Sequence, residues 1–579
     1  MTSKIKWWLN GIGAALLVAV AVVYLIARPI IVQNLEPVLK ETAEDKINGT
    51  LTWETMDLDP QYNLSFDKIS LTDAEGKDVL TSSNITVNWS FCGLWNYFIN
   101  HGTVFDIVRH VEIIEPHIYI QEKADSSWNV QNLLKPQEEE TPGTFQGTVA
   151  LRQGIVQVGL MDGNQYEMSG VQSDCRFTED KKIKGTMKAS FLDAPVDVEF
   201  TYADENHFDG TIKTGAMALK GLKPIFDRFT DFMQSFDIKD GTAEISQGRI
   251  WKSDGLLSYQ VKGCFSQVAG KYEKYALTEG AAFFDIKNGI FQIHDVSGKI
   301  NGESFNAQLT VNTQEDKPNY QGEISCHQVQ LGNIFTDESI RGILTGEVSF
   351  VGKENDIKAS GNVSLSDGVY RNYRLDQGNC LFSYAHDVLS IEEFQGQLNG
   401  ATISGHGTYE KNTGSFDVIG KASDVSLDSF SLGANVSGVV SGDFHVKGRY
   451  HTAFYIDQIA FDGRGDNLFY DGQSATSVVG KVYYNDGAWD AIFTGDGISL
   501  QGNYFSHLSG QIGGKGNRYT MSHLSAVMGS GNIAVEGVYD PDYMNLHIKG
   551  VQVDMNSFSS LAGMSLSGVA DFDMTVQGQ

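Results

Sequence analysis

The sequence predicts a mainly β protein: an N-terminal transmembrane helix, then an elongated, repetitive antiparallel β-sheet with a few short helices. Three observations point there. The 62 glycines and only 10 prolines among 579 residues, with 11% aromatic residues, suit many strands punctuated by glycine turns. Long stretches alternate apolar and polar residues with period two. Two different blocks of sequence recur without gaps, which marks a quasi-one-dimensional array of strands rather than a globule.

The alternation is clearest where Ile403, Gly405, Gly407 and Tyr409 share one side, and Thr402, Ser404, His406, Thr408 and Glu410 the other. Phe305, Ala307, Leu309 and Val311 repeat the apolar side in an earlier copy, and Ile533, Val535, Gly537 and Tyr539 in a later one. The second block reads "RGILTGEVSFVG" from Arg341, "SGVVSGDFHVKG" from Ser437 and "SGVADFDMTVQG" from Ser567. Its copies lie 96 and 130 residues apart and those of the first block 98 and 130, so both belong to one repeating unit that carries an insertion.

At the N-terminus, Lys4 and Lys6 precede Trp7 and Trp8, and an uncharged run from Gly11 to Ala27 ends at Arg28 and Pro29. Seventeen residues at helical rise span roughly 26 Å, near the lower limit for a hydrocarbon core, and the Trp pair extends the segment into the interface. Residues 1–29 therefore read as a cytoplasmic tip and a membrane anchor carried by Trp7, Trp8, Leu16, Leu17, Val22, Val23, Tyr24, Leu25 and Ile26. The competing reading is a secretory signal cut after Ala19-Val20-Ala21, which would leave Val22, Val23, Leu25 and Ile26 as a greasy new terminus. The two lysines before the span favour a cytoplasmic N-terminus, with the bulk of the chain across the membrane.

Residues 30–136 form a β-rich head. It opens with an amphipathic helix over 30–47 and continues with strands in "GTLTWETMDLD", "YNLSFDKISLTD" and "NITVNWSF". Residues 137–144 are an acidic linker. A β region follows over 145–289, interrupted at 222–236 by an amphipathic helix with a strongly aromatic stripe, read as packing on the sheet or capping it. Residues 290–579 hold the repeated units.

Charge and motifs exclude several classes of function. A net charge of −29 without a basic patch argues against nucleic acid. The five cysteines, Cys92, Cys175, Cys264, Cys326 and Cys380, are scattered with no CxxC pair, so they spell neither a zinc site nor a disulfide framework. There is no HExxH, GxSxG, P-loop or complete GxGxxG, and the 13 histidines form no metal-spaced cluster. The expectation is a protein that is not an enzyme and carries neither metal nor cofactor. The adhesion-like tripeptide in "GRGDN", Gly463 to Asn467, reads as a glycine turn.

From Ile113 the head reads "IIEPHIYIQEKADSSWNVQNLLKP". A membrane anchor, a β-rich head and a strand–Pro–strand motif closing on "SWNVQNLL" resemble the AsmA and TamB group of bacterial envelope proteins, bridge-like lipid transfer proteins. Ile114, Pro116, Ile118, Tyr119, Trp128, Asn129, Leu133 and Leu134 stand at the motif's apolar, Pro, Trp-Asn and Leu positions. The later unit from Gly361 to Val418 is similar to TamB-type repeats. The resemblance implies a curved, taco-shaped sheet with an apolar groove. It further implies an inner-membrane anchor, a periplasmic body that carries phospholipid or another envelope lipid towards the outer membrane, and a link to an outer-membrane assembly barrel protein. The last repeat stops at Gln579 where the others continue into further strands; a short member or a truncated chain would look this way, and truncation is favoured.

An apolar strand face needs cover, because each large side chain hidden from water is worth roughly 1.5–3 kcal/mol. A second sheet would make a closed rod, a bilayer an outer-membrane barrel, and acyl chains a lipid groove. With the resemblance, the groove is the expectation, lined by the twelve residues from Phe305 to Tyr539 named above. The alternative is a structural or assembly factor for outer-membrane proteins that acts through β-strand augmentation.

Overall fold

The computed structural model describes residues 2–578 except 60–62, 91–92, 94–106, 126, 132, 134, 136–144, 205, 228–234, 316, 336–338, 354–355, 372, 430–434, 452–453 and 559–564, and in the first helix it leaves the side chains of 2–20, 23, 24 and 27 undescribed. The acidic linker and Leu134 lie outside the described residues. The chain is mainly β and divides into two compact units, Met1–Val296 and Ser297–Gln579.

The first unit opens with α1 (Thr2–Lys46), one helix where the sequence predicts an anchor followed by a separate short helix. It runs through Pro29 and Pro37, each of which removes an internal hydrogen bond. Its second half is held by packing: Ile31, Val32, Leu35 and Leu39 lie on Met56, Leu58 and Leu64. Arg28 is ion-paired with Asp57. Among the described residues no helix is long and apolar enough to cross a membrane. Much of the predicted span, including the side chains of Trp7, Trp8, Leu16, Leu17, Val23 and Tyr24, lies outside those residues, whereas Val22, Leu25 and Ile26 are exposed.

The head sheet contains β1 (Gly49–Thr52), β2 (Thr55–Leu58), β3 (Leu64–Asp73), β4 (Asp78–Trp89), β5 (Val108–Ile114), β6 (His117–Gln121) and β7 (Thr148–Gly159). β1 and β2, expected as one strand, are separated at Trp53-Glu54 and both pair with β3. The sheet is not purely antiparallel: β5 and β6 both run parallel to β7. They are two halves of one strand broken at Glu115, held at φ 51°, and Pro116, which has no N–H to donate.

From Gln165 to Lys287 the paired strands are antiparallel. The helix predicted at 222–236 appears as α2 (Leu219–Phe226), with 228–234 outside the described residues. Leu219 and Leu222 are buried against Ile238 and Ala243, so α2 covers part of the apolar sheet face.

In the second unit, the paired strands from Glu303 to Gly578 are antiparallel. The first sequence block is the strands Glu303–Asn312, Ala401–Glu410 and Gly531–Asp540. The second is Ile340–Lys353, Val436–Tyr450 and Val569–Gly578, each preceded by a short helical segment: α3 (Leu331–Ile334), then 3-10 turns at Leu427–Ser429 and Met555–Phe558. The longer second period holds one extra hairpin, which accounts for the insertion. Pairs such as Asn399-Gly400 and Asp486-Gly487 have positive φ at both residues, as tight two-residue hairpin turns require.

The second block begins each time with a glycine in a conformation that disfavours side chains: Gly342, Gly438 and Gly568, at φ 141°, 124° and 104°. On the preceding strand, Gln328, Asp424 and Gln552 bulge out at φ 55°, 58° and 54°. Each bulged N–H donates to the side chain three residues past the glycine: Thr345 Oγ1 at 3.0 Å, Ser441 Oγ at 2.8 Å and Asp571 Oδ1 at 2.6 Å. Bulges bend strands and are the local source of sheet curvature.

Candidate functional site

Residues directly opposite on neighbouring strands point to the same face, so the pairings define rows that cross the sheet. One row passes from Phe305 through Cys326, Gly346, Val363, Cys380 and Phe394 to Gly405. It continues to Gly537 and Leu546 without meeting a charged or polar side chain. A parallel row joins Ala307 to Gly407 and then to Tyr539, and is equally free of charge. The three sets of predicted lining residues therefore share one continuous apolar face, although each set stays on its own strand, six or eight strands from the next.

Large side chains on this face are incompletely covered. Between Ile340 and Tyr470 the fully buried positions among the described residues are glycines and Ala401, while Phe350, Phe382, Phe394, Ile403 and Tyr409 are half-buried. Ile324 is 46% exposed and Val482 41%. At the bulged strand ends the same face closes on itself: Ile498, Leu508, Ala526, Met528, Ile533 and Val553 form a buried cluster. Ile533 thus lies in a packed crease, whereas Tyr539 is 42% exposed.

The glycines on this face have a structural cause. A Cβ on Gly405 would come within 2.4 Å of the Ile419 carbonyl oxygen, and one on Gly537 within 2.1 Å of that of Asn545. At other positions an aromatic ring lies over the glycine directly opposite. A Cβ on Gly322 would meet the Phe350 ring at 2.6 Å, on Gly420 the Phe444 ring at 2.6 Å, and on Gly550 the Phe572 ring at 2.3 Å. Gly185 with Phe200 and Gly263 with Phe284 repeat the arrangement in the first unit. Rings laid over glycines shield bare backbone and pave the face. This pairing was missed in the sequence because it joins residues on different strands.

The opposite face carries cross-strand ion pairs, Lys447–Asp417 at 2.7 Å, Lys421–Asp443 at 3.5 Å and Lys481–Asp462 at 2.6 Å. Hydrogen bonding from Lys447 holds the Asp417 carboxyl below its ordinary value. On the apolar face, burial pushes the Cys380 thiol up, away from a reactive thiolate. "GRGDN" lies inside the strand Phe454–Tyr470 rather than in a turn. Gly463 and Gly465 sit under Phe461 and Leu468 on the apolar side, and Arg464 and Asp466 pair on the other. Among the described residues no group of three or more His, Cys, Asp or Glu could hold a metal ion.

The head motif is a clasp. Pro116 is fully buried against Gly154. Asn129, 6% exposed, donates from Nδ2 to the Tyr119 carbonyl at 2.9 Å and accepts from the Gln121 N–H at 2.9 Å, gripping the backbone of β6. Trp128 bridges to Glu122, and the Leu133 carbonyl accepts from the Asn48 N–H at 2.8 Å, just past the end of α1. These residues hold the head together. Fold and face together define a class, a repeat-built β-sheet with one continuous uncharged face. No family model, no curated protein and no solved structure matches this chain.

Proposed function

We propose that this protein carries phospholipid, or another envelope lipid, along its apolar sheet face. In this reading the N-terminal run of α1 anchors it in a bacterial inner membrane, N-terminus inside, and the sheet works in the periplasm in outer-membrane biogenesis. The observation that carries the reading is the pair of uncharged rows from Phe305 and Ala307 to the last strands, with half-exposed side chains along them. Apolar surface this continuous marks a binding site. An acyl chain of sixteen carbons costs on the order of 10 kcal/mol to place in water, at about 0.8 kcal/mol per methylene. On an apolar track the chain exchanges one hydrocarbon environment for another, so movement needs no catalytic group.

The test is site-specific photocrosslinking in cells at Val482 and, separately, at Lys481, its exposed neighbour on the polar face. Lipid adducts at Val482 alone are expected. Protein adducts at Val482 without lipid would mean that a protein covers this face and would remove the transport reading; the assembly-factor alternative works instead through sheet edges, by β-strand augmentation. No adduct at either position in a folded chain would remove the transport reading.

A further inference from the structure

In the later strands of the second unit the two borders of the apolar face differ in chemistry. At one set of hairpin ends, the last residues on the face before the turn are aromatic and amphipathic: Tyr384, Tyr409, Tyr450, Tyr484 and Tyr539. In the later strands their rings meet, Trp489 with Tyr519 at 6.3 Å between centroids and Tyr519 with Tyr539 at 6.3 Å. Tyr519 and Tyr539 are 37% and 42% exposed. In the later strands, from Ala488 to Asp554, the other border of the face finishes in the aliphatic crease, where Ile498, Met528 and Val553 are 5%, 4% and 0% exposed. In the earlier strands that border also carries tyrosines, Tyr370, Tyr373 and Tyr470, beyond the bulges, so the asymmetry belongs to the later strands.

From this asymmetry we infer that the tyrosine border is the headgroup side of the face, and that each lipid lies along the strands with its chain ends toward the crease. The inference rests on the lipid-carrying reading and gives it an orientation. Tyr and Trp collect where hydrocarbon meets water, because the ring is apolar and its O–H or N–H seeks a polar partner. The distance also fits. Leu524, packed against the crease, and Tyr519 pair with Val535 and Tyr539, four residues apart on the neighbouring strand, about 14 Å at strand rise, and one leaflet's hydrocarbon is about 15 Å thick. The occupant is therefore an amphiphile with a polar, hydrogen-bonding headgroup; a wholly apolar cargo would have no use for one amphipathic border.

The full chain is incubated with vesicles of phosphatidylethanolamine and phosphatidylglycerol that contain one of two photoreactive phospholipids, with the reactive group at the acyl chain end or on the headgroup. Adducts are mapped by mass spectrometry. With adducts assigned to single residues by fragmentation, the headgroup probe is expected to label at and beside Tyr484, Tyr519 and Tyr539, and the chain-end probe at and beside Phe493, Leu524 and Ile548. Tyr519→Leu with Tyr539→Leu should lower headgroup-probe labelling of this border several-fold and leave chain-end labelling unchanged. Equal labelling of both borders by both probes, or the reverse pattern, overturns the orientation while lipid binding stands. Absence of labelling by either probe overturns both.

Discussion

Gly420 is a residue whose neighbour explains it. The Phe444 ring occupies the space a Cβ would need, at 2.6 Å, and the Ser404 carbonyl oxygen lies 2.5 Å from the same point. Gly420→Val should therefore destabilise the second unit by about 1–3 kcal/mol, as overpacking does, measured as a lower urea midpoint at an unchanged slope. On the other face, Asp417 accepts from Lys447 and His445, and Lys447 chiefly holds its carboxyl below the ordinary value. A carboxyl with a depressed folded-state pKa contributes stability above its unfolded value of about 4 and loses it as pH falls through the lower folded value. Asp417→Asn should be less stable than the parent at pH 7, with a gap that shrinks towards pH 3 in denaturant melts. A constant gap would place its role elsewhere.

At the scale of elements, the repeated feature is the bulge clamp. Thr345, Ser441 and Asp571 differ in chemistry but each accepts from a bulged N–H at the same place in its repeat. Ser441→Ala removes one acceptor, and the expected cost is about 0.5–1.5 kcal/mol, with faster hydrogen exchange at the Asp424 amide. Unchanged exchange there would mean that the bulge is held by the glycine Gly438 alone. Element boundaries were partly legible. The period-two pattern placed Ala401–Glu410 on its strand. The "GRGDN" glycines misled, because a glycine inside a strand, covered by apolar side chains of its own strand such as Phe461 and Leu468, looks in sequence like a glycine in a turn.

For the whole molecule, the equivalence of the second-block strands makes a strong statement about modularity. In repeat arrays each unit contacts mainly its neighbours, so a whole period can be removed where the junction is equivalent. Deleting residues 341–436 joins Ile340 to Ser437 and puts one copy of the block where another stood. This variant should keep a β-type circular dichroism spectrum and unfold cooperatively. A deletion half a period longer or shorter should not, because it would join strands of opposite direction or exchange the apolar and polar faces. Aggregation of the in-phase deletion would show that the repeats are not interchangeable.

The sequence by itself determined the β class, the repeat period, the existence of one apolar face and the residues on it. All of these follow from local periodicity and from blocks that recur along one chain. Only the tertiary structure decided what lay between strands. It turned Glu115-Pro116 into a break in a strand parallel to β7 and joined the head helix into the single α1. It also set Phe444 over Gly420 and sent Ile533 into a closed crease while leaving Tyr539 at an open border. The reason is physical: alternation assigns a side chain to a face, but its burial depends on which strands the hydrogen-bond register brings beside it and on where bulges bend the sheet.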